Sequence, residues 1–101
     1  MWTPWRRERG SVANLAMNFP NQSRSYDATR QAVHFWGYDR SMESSFFLTV
    51  AALTQIQPNL QPDVPGFLRA FDVNRERIYA IAAKVYARGR RGFYELSVAD
   101  V

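Results

Sequence analysis

The chain contains no cysteine. That excludes a disulfide framework, a thiolate metal site and a cysteine nucleophile, and it suits a reducing cytoplasmic address. Histidine occurs once, at His34. A single imidazole without thiolate partners cannot complete a usual structural zinc site, and a catalytic triad needs a positioned nucleophile and acid besides. The five glycines (Gly10, Gly37, Gly66, Gly89 and Gly92) are too dispersed to form a phosphate cradle. No apolar run approaches the length of a membrane span. An Arg6-Arg7 pair is followed by Glu8, Arg9, Gly10 and Ser11 rather than an apolar stretch, which argues against an export signal. These absences predict a protein that is not an enzyme, with no metal, no cofactor, no membrane contact and no small-molecule substrate.

Lysine is nearly missing as well. Twelve of thirteen basic residues are arginine, the exception being Lys84, against nine acidic residues, for a net charge of +4. Arginine suits phosphate and carboxylate pairing, although a GC-rich genome produces the same bias. Residues 1–16 hold Arg6, Arg7, Arg9 and Glu8; the remainder keeps ten basic against eight acidic residues, or +2. Nucleic-acid binding is permitted by this charge and not demanded by it.

What the chain does have is bulk. Hydrophobic residues make up 47% of its 101 residues and aromatic ones 15%, which is globular rather than disordered composition and enough for one core. Residues 1–24 lack sustained periodicity and contain Pro4, Gly10 and Pro20. They are expected to form a flexible N-terminal extension, with residues 25–101 a single domain and Met17 an alternative start. Gln31–Tyr38 alternates β-branched and aromatic residues and reads as a strand. Asp39-Arg40-Ser41 suits a turn, and Glu43–Leu48 reads as the antiparallel return. Thr49 can cap a short helix over Val50–Gln57, ended by Pro58. Asp63 and Pro65 open a long helix to Arg88, striped by Phe67, Phe71, Ile78, Ala82 and Val85 and closed by a left-handed Gly89. Phe93–Val98 alternates again. The prediction is an α+β fold of order β-β-α-α-β, a small antiparallel sheet with a short and a long helix packed on one face.

Four segments carry a resemblance: Ser25-Tyr26-Asp27, Ala32-Val33-His34-Phe35, Phe71–Ile78 and Val98-Ala99-Asp100. Through them the chain, from Met17 to Val101, resembles the small bacterial domain of unknown function 1488 family. The resemblance implies a compact α+β fold. It brings no established activity and no catalytic residues to carry over, and Met1–Ala16 lies outside its pattern.

Candidate surfaces follow from the strand alternation. If the helices cover Val33, Phe35, Phe46, Leu48, Tyr94 and Leu96, the opposite face displays His34, Trp36, Tyr38, Phe47 and Phe93. A sheet face left to water is ordinarily polar, so an aromatic one points to association, here a homodimer with a regulatory role. Cover by Trp2, Trp5 and Phe19 of the N-terminal segment is the first alternative, and stacking of single-stranded bases the second. A basic patch of Lys84, Arg88, Arg90 and Arg91 is the candidate phosphate-contact site, although cations at a helix C-terminus also serve the helix dipole. Catalysis ranks last; it would need Glu43, Glu95 or His34, with Asp27 and Asp39 at the strand ends, to converge in a pocket.

Overall fold

A computed structural model describes residues 17–89 and 91–101. Its elements are β1 (Arg24–Asp27), β2 (Ala32–Asp39), β3 (Met42–Thr49), α1 (Val50–Ile56), α2 (Val64–Val73), α3 (Arg75–Arg88), β4 (Phe93–Leu96) and a closing 3₁₀ turn, Val98–Asp100. The four strands lie in the order β1-β2-β3-β4. The fold is α+β, with an added strand and a divided helix relative to the expected order.

The β2–β3 hairpin forms where alternation predicts it, with Asp39 opposite Met42 and Arg40-Ser41 as a two-residue turn. Arg40 takes a φ of 61°, left-handed backbone that a tight hairpin demands and that is costly for a residue with a Cβ. β1 pairs antiparallel with β2 from Arg24↔Phe35 to Asp27↔Ala32. This strand is absent from the expected order because its four residues include a single apolar one, Tyr26, and so carry little periodic signal. β4 joins β3 in parallel, Ser45↔Phe93 through Leu48↔Leu96, so the sheet is mixed and not purely antiparallel. Three helices separate β3 from β4, and such a crossover returns the chain to run alongside β3.

Helix boundaries have local causes. Thr49 Oγ1 accepts a hydrogen bond from the Ala52 amide at 3.1 Å, and Asp63 Oδ1 from the Gly66 amide at 2.8 Å. Gly66 has no room for a side chain: a Cβ there would lie 2.1 Å from the Gln61 carbonyl oxygen. The long helix is broken at Asn74, whose φ of −106° and ψ of 19° leave the helical region. Its Nδ2 donates to Gln57 Oε1 and to the Ala70 carbonyl, both at 2.8 Å, so a tertiary contact to the end of α1 holds the break. Gly89 ends α3 with φ 170°, extended rather than left-handed, against expectation.

The helices cover one sheet face. Phe35, Phe46, Leu48, Leu53, Phe71, Ile78 and Leu96 are fully buried, and Phe35 meets Phe46 and Phe71 at centroid distances of 5.4 and 5.1 Å. Residues 17–24, expected in the extension, contribute to this core. Met17 is buried, Asn18 exchanges two 2.8 Å backbone hydrogen bonds with Tyr38, and Phe19 stacks on Tyr79 at 4.2 Å. Gly37 makes room for them: a Cβ would lie 2.4 Å from Met17 Sδ and 2.8 Å from the Phe19 ring. Residues 1–16, with Trp2 and Trp5, lie outside the described residues.

Candidate functional site

The register sets the composition of the outer face. Successive rungs carry Ser25, His34, Phe47 and Glu95, then Trp36, Ser45 and Phe93, then Tyr38 and Glu43. Alternation therefore places all five predicted residues on one face, and pairing brings four of them into one cluster. His34 lies 4.2 Å from both Trp36 and Phe47, and Phe47 meets Phe93 edge-on at 5.9 Å. Tyr38 stands apart at the hairpin end, donating to Glu43 Oε2 at 2.5 Å. That bond favours the neutral phenol and raises the Tyr38 pKa above its ordinary value.

The face is not uniformly bare. Phe93 is 52% exposed but Phe47 only 6%. Arg30 accounts for part of this difference. It sits in the turn between β1 and β2, where its amide donates to Asp27 Oδ1 at 2.9 Å and its guanidinium pairs with Asp27 Oδ2 at 3.2 Å. From there the guanidinium lies 4.4 Å from the Phe47 ring centre and 5.6 Å from that of Phe93, a cation–π placement over both. The backbone and side-chain hydrogen bonds from Arg30 hold the Asp27 carboxyl below its ordinary pKa. Inspection of the sequence missed Arg30. Its only signal was an Asp-x-x-Arg turn, and nothing local shows that β1 aims it across to β3 and β4.

His34 Nε2 lies 3.0 Å from Ser45 Oγ, the geometry of a base beside a hydroxyl. Burial pushes the imidazole pKa down, opposed more weakly by Asp27 and Glu43. The pair nevertheless lies on a sheet surface where, among the described residues, the neighbouring backbone amides are committed to strand pairing rather than aimed at a developing oxyanion. We read the contact as orienting the ring against Trp36 and Phe47. The other carboxylates do not converge. Asp39 Oδ2 accepts from Tyr86 Oη at 2.6 Å on the helix side. Glu43 and Glu95 are separated by four residues along the strand direction, about 13 Å. Among the described residues no group of three or more His, Cys, Asp or Glu could hold a metal, and no helix is long and apolar enough to cross a membrane.

The predicted basic patch is mixed in charge. Arg88 and Arg91 line a shallow cavity of about 270 Å³ together with Glu95 and Asp100, and Arg88 lies 3.5 Å from Asp100. Tyr94 Oη accepts from the Arg91 amide at 2.7 Å and donates to the Gly89 carbonyl at 3.0 Å, which fixes the loop around that cavity. Lys84 is exposed on α3; Arg90 lies outside the described residues.

Comparison with known proteins agrees with this architecture. A model of the family described as protein of unknown function (DUF1488) matches residues 17–98. A crystal structure of a protein of unknown function from that family, from Shewanella loihica PV-4, superposes with a TM-score of 0.70 at 18% identity. The match covers 79% of this chain and 90% of that one, and shows a shared fold. Among curated proteins nothing matches the chain.

Proposed function

We propose that this chain, which belongs to the DUF1488 family of proteins of unknown function, is a non-catalytic association module that pairs with a second copy of itself through the outer sheet face. One observation carries the reading. Among the described residues the helices lie on the inner face, and the register gathers His34, Trp36, Phe47 and Phe93 on the other. Aromatic side chains contribute large apolar area at low entropic cost, and they are enriched where proteins meet. A two-fold pairing also suits the charges, because Arg30 at the centre of one face can meet Glu95 or Glu43 at the rim of the other. A cytoplasmic regulatory role for the pair belongs to the same proposal. Phosphate contacts at Arg88 and Arg91 draw no support from a surface where Glu95 and Asp100 stand beside them.

Sedimentation velocity of the full chain from low to high micromolar concentration tests the proposal. A concentration-dependent dimer is expected, weakened by Phe93→Ser and Trp36→Ser but not by Val73→Ser, an exposed apolar residue on α2. A wild-type monomer at high micromolar concentration, or a dimer equally sensitive to all three variants, overturns it.

A further inference from the structure

The two edges of the sheet are unequal. β1 forms one edge with a charge at each end of the strand, Arg24 bonded to Asp72 and Asp27 to Arg30. Charges so placed guard an edge against pairing with another chain. β4 forms the other edge with Phe93 and Leu96 at its ends, and Phe93 is 52% exposed. Among the described residues only β3 pairs with β4.

Hydrogen-bond parity shows which main-chain groups this second edge presents. Tyr38 exchanges both of its backbone bonds with Asn18, so the even residues of β2 bond on that side and the odd ones bond β3. The β2–β3 register runs without a bulge from Ala32↔Thr49 to Asp39↔Met42. Each odd residue of β2 therefore bonds an even residue of β3, which turns Ser45 and Phe47 toward β4. In a parallel pair, a residue facing the neighbouring strand bonds the residues on either side of its partner. Ser45 opposite Phe93, and Phe47 opposite Glu95, thus bond Gly92, Tyr94 and Leu96. The amides and carbonyls of Phe93 and Glu95 point outward, and no described residue bonds them.

Such an edge accepts another strand, and its own copy fits it. Antiparallel pairing about a two-fold axis sets outward-facing residues opposite one another. Glu95 opposite its own copy brings like charges together, and Phe93 opposite its own copy leaves the strands overlapping at one residue. Phe93 opposite the partner's Glu95 overlaps them over residues 93–95 and makes about four main-chain hydrogen bonds. That register also brings the partner's Glu95 beside the Phe93 ring, whose centre lies 5.6 Å from the Arg30 guanidinium. The surrounding charge suits a copy as well. Arg88 and Arg91 share a cavity with Glu95 and Asp100, two groups of each sign, so identical edges meet without net repulsion.

We infer that β4 is a second self-pairing surface, at which two copies align antiparallel about a two-fold axis and join their four-stranded sheets into one. The contact is made by main-chain groups at the edge and does not depend on the proposed face-to-face pairing. Where both contacts form, they assemble a tetramer.

Sedimentation equilibrium of the full chain, with amide exchange read residue by residue, tests the edge. Glu95→Pro removes an outward amide, a change an edge strand tolerates. It is expected to weaken the edge contact at least about tenfold, since the two-fold loses the bond twice. At high concentration wild type should reach a tetramer, Trp36→Ser an edge dimer, Glu95→Pro a face dimer, and the double variant a monomer. In Trp36→Ser the Phe93 and Glu95 amides should slow at least about tenfold as concentration rises, while those of Tyr94 and Leu96 are protected throughout. This measurement leaves β4 unaltered and decides the matter even if Glu95→Pro fails to fold. Fast exchange at Phe93 and Glu95 at every concentration overturns edge pairing and leaves the face reading standing, as does a Glu95→Pro chain that assembles like wild type. Protection of both amides in the monomer also overturns it, by placing another part of the same chain on the edge. Assembly that Glu95→Pro abolishes and Trp36→Ser leaves unchanged supports the edge and overturns the face reading.

Discussion

The two faces of one sheet are built from the same strands, residue by residue in alternation, and they have opposite fates. On the inner face Val33, Phe35, Phe46, Leu48 and Leu96 are fully buried beneath the helices and Tyr94 is 2% exposed. On the outer face aromatic residues are equally dense, but charge lies among them and Phe93 is half exposed. Hydrophobicity of the strand residues therefore does not distinguish the face that the described helices cover from the opposite one. Two features do: what packs above the face, and whether charged groups can reach its centre. Arg30 reaches the outer centre with its guanidinium over the Phe47 ring, while the same group remains paired with Asp27.

The largest break in the comparison comes from truncating matched residues on the two faces. Phe46→Ala should cost about 3–5 kcal/mol by removing a fully buried ring and leaving a cavity. Phe93→Ala should change monomer stability by less than about 0.5 kcal/mol, while weakening association. Urea denaturation at a concentration below dimerisation measures the first pair of values. Similar costs at both positions would mean that the faces are not distinct in the way described.

Next is Gly37→Ala, which drives a methyl group into Met17, Phe19 and the Phe46 ring. A loss of about 1–3 kcal/mol is expected from overpacking. Combining it with Met17→Ala should return part of the loss, since Met17 Sδ is the nearest atom. No recovery in thermal melts would show that Met17 does not pack there.

A smaller effect is expected at Asp72, which ties the edge strand β1 to the helical layer. Its carboxylate receives two hydrogen bonds from Arg24, at 3.0 and 2.8 Å, and one from Arg75 at 2.6 Å. The bonds from Arg24, then those from Arg75, hold its pKa below the ordinary carboxylate value. A group whose folded pKa is depressed adds stability above its unfolded pKa, about 3.9, and loses it as pH falls through the folded value. The side chain is 40% exposed, so solvent screening limits the contribution to about 1 kcal/mol. Asp72→Asn should lower the neutral-pH melting temperature by several degrees and flatten the acid limb of stability below about pH 4. An unchanged acid limb would remove Asp72 as its source.

The smallest expected effect belongs to His34. Burial depresses its pKa, so protonation disfavours the folded state: stability should decline as pH drops below about 6.5 and level off beneath the folded value. His34→Gln should abolish that shallow slope. If the slope steepens with dimerisation, measured at low and high protein concentration, His34 is further buried by the partner; if it is unchanged, the imidazole keeps the exposure it has in the single chain.

Much of this was legible beforehand, for definite reasons. Side-chain alternation has a period of two, so the allocation of Val33, Phe35, Phe46 and Leu48 to one face and His34, Trp36 and Phe47 to the other needs only the strand assignment. The caps at Thr49 and Asp63 are likewise local, each side chain bonding an amide three residues onward. By contrast, Arg30 over Phe47, Met17 against Gly37, and Asn74 bonded to Gln57 all join residues distant in sequence, and no local pattern encodes them.

By itself, then, the sequence determined the absence of thiol chemistry, the hairpin, two helix starts and the existence of two aromatic sheet faces. These depend on residue type and on periods of two or of three to four. Only the tertiary structure decided that β1 exists, that β4 runs parallel to β3, that the long helix breaks at Asn74, and that Met17 and Phe19 belong to the inner core. Each of those depends on which surfaces meet after the chain has closed upon itself. The covering of Phe47 by a turn arginine is of the same kind, and it is what gives the outer face its mixed aromatic and charged character.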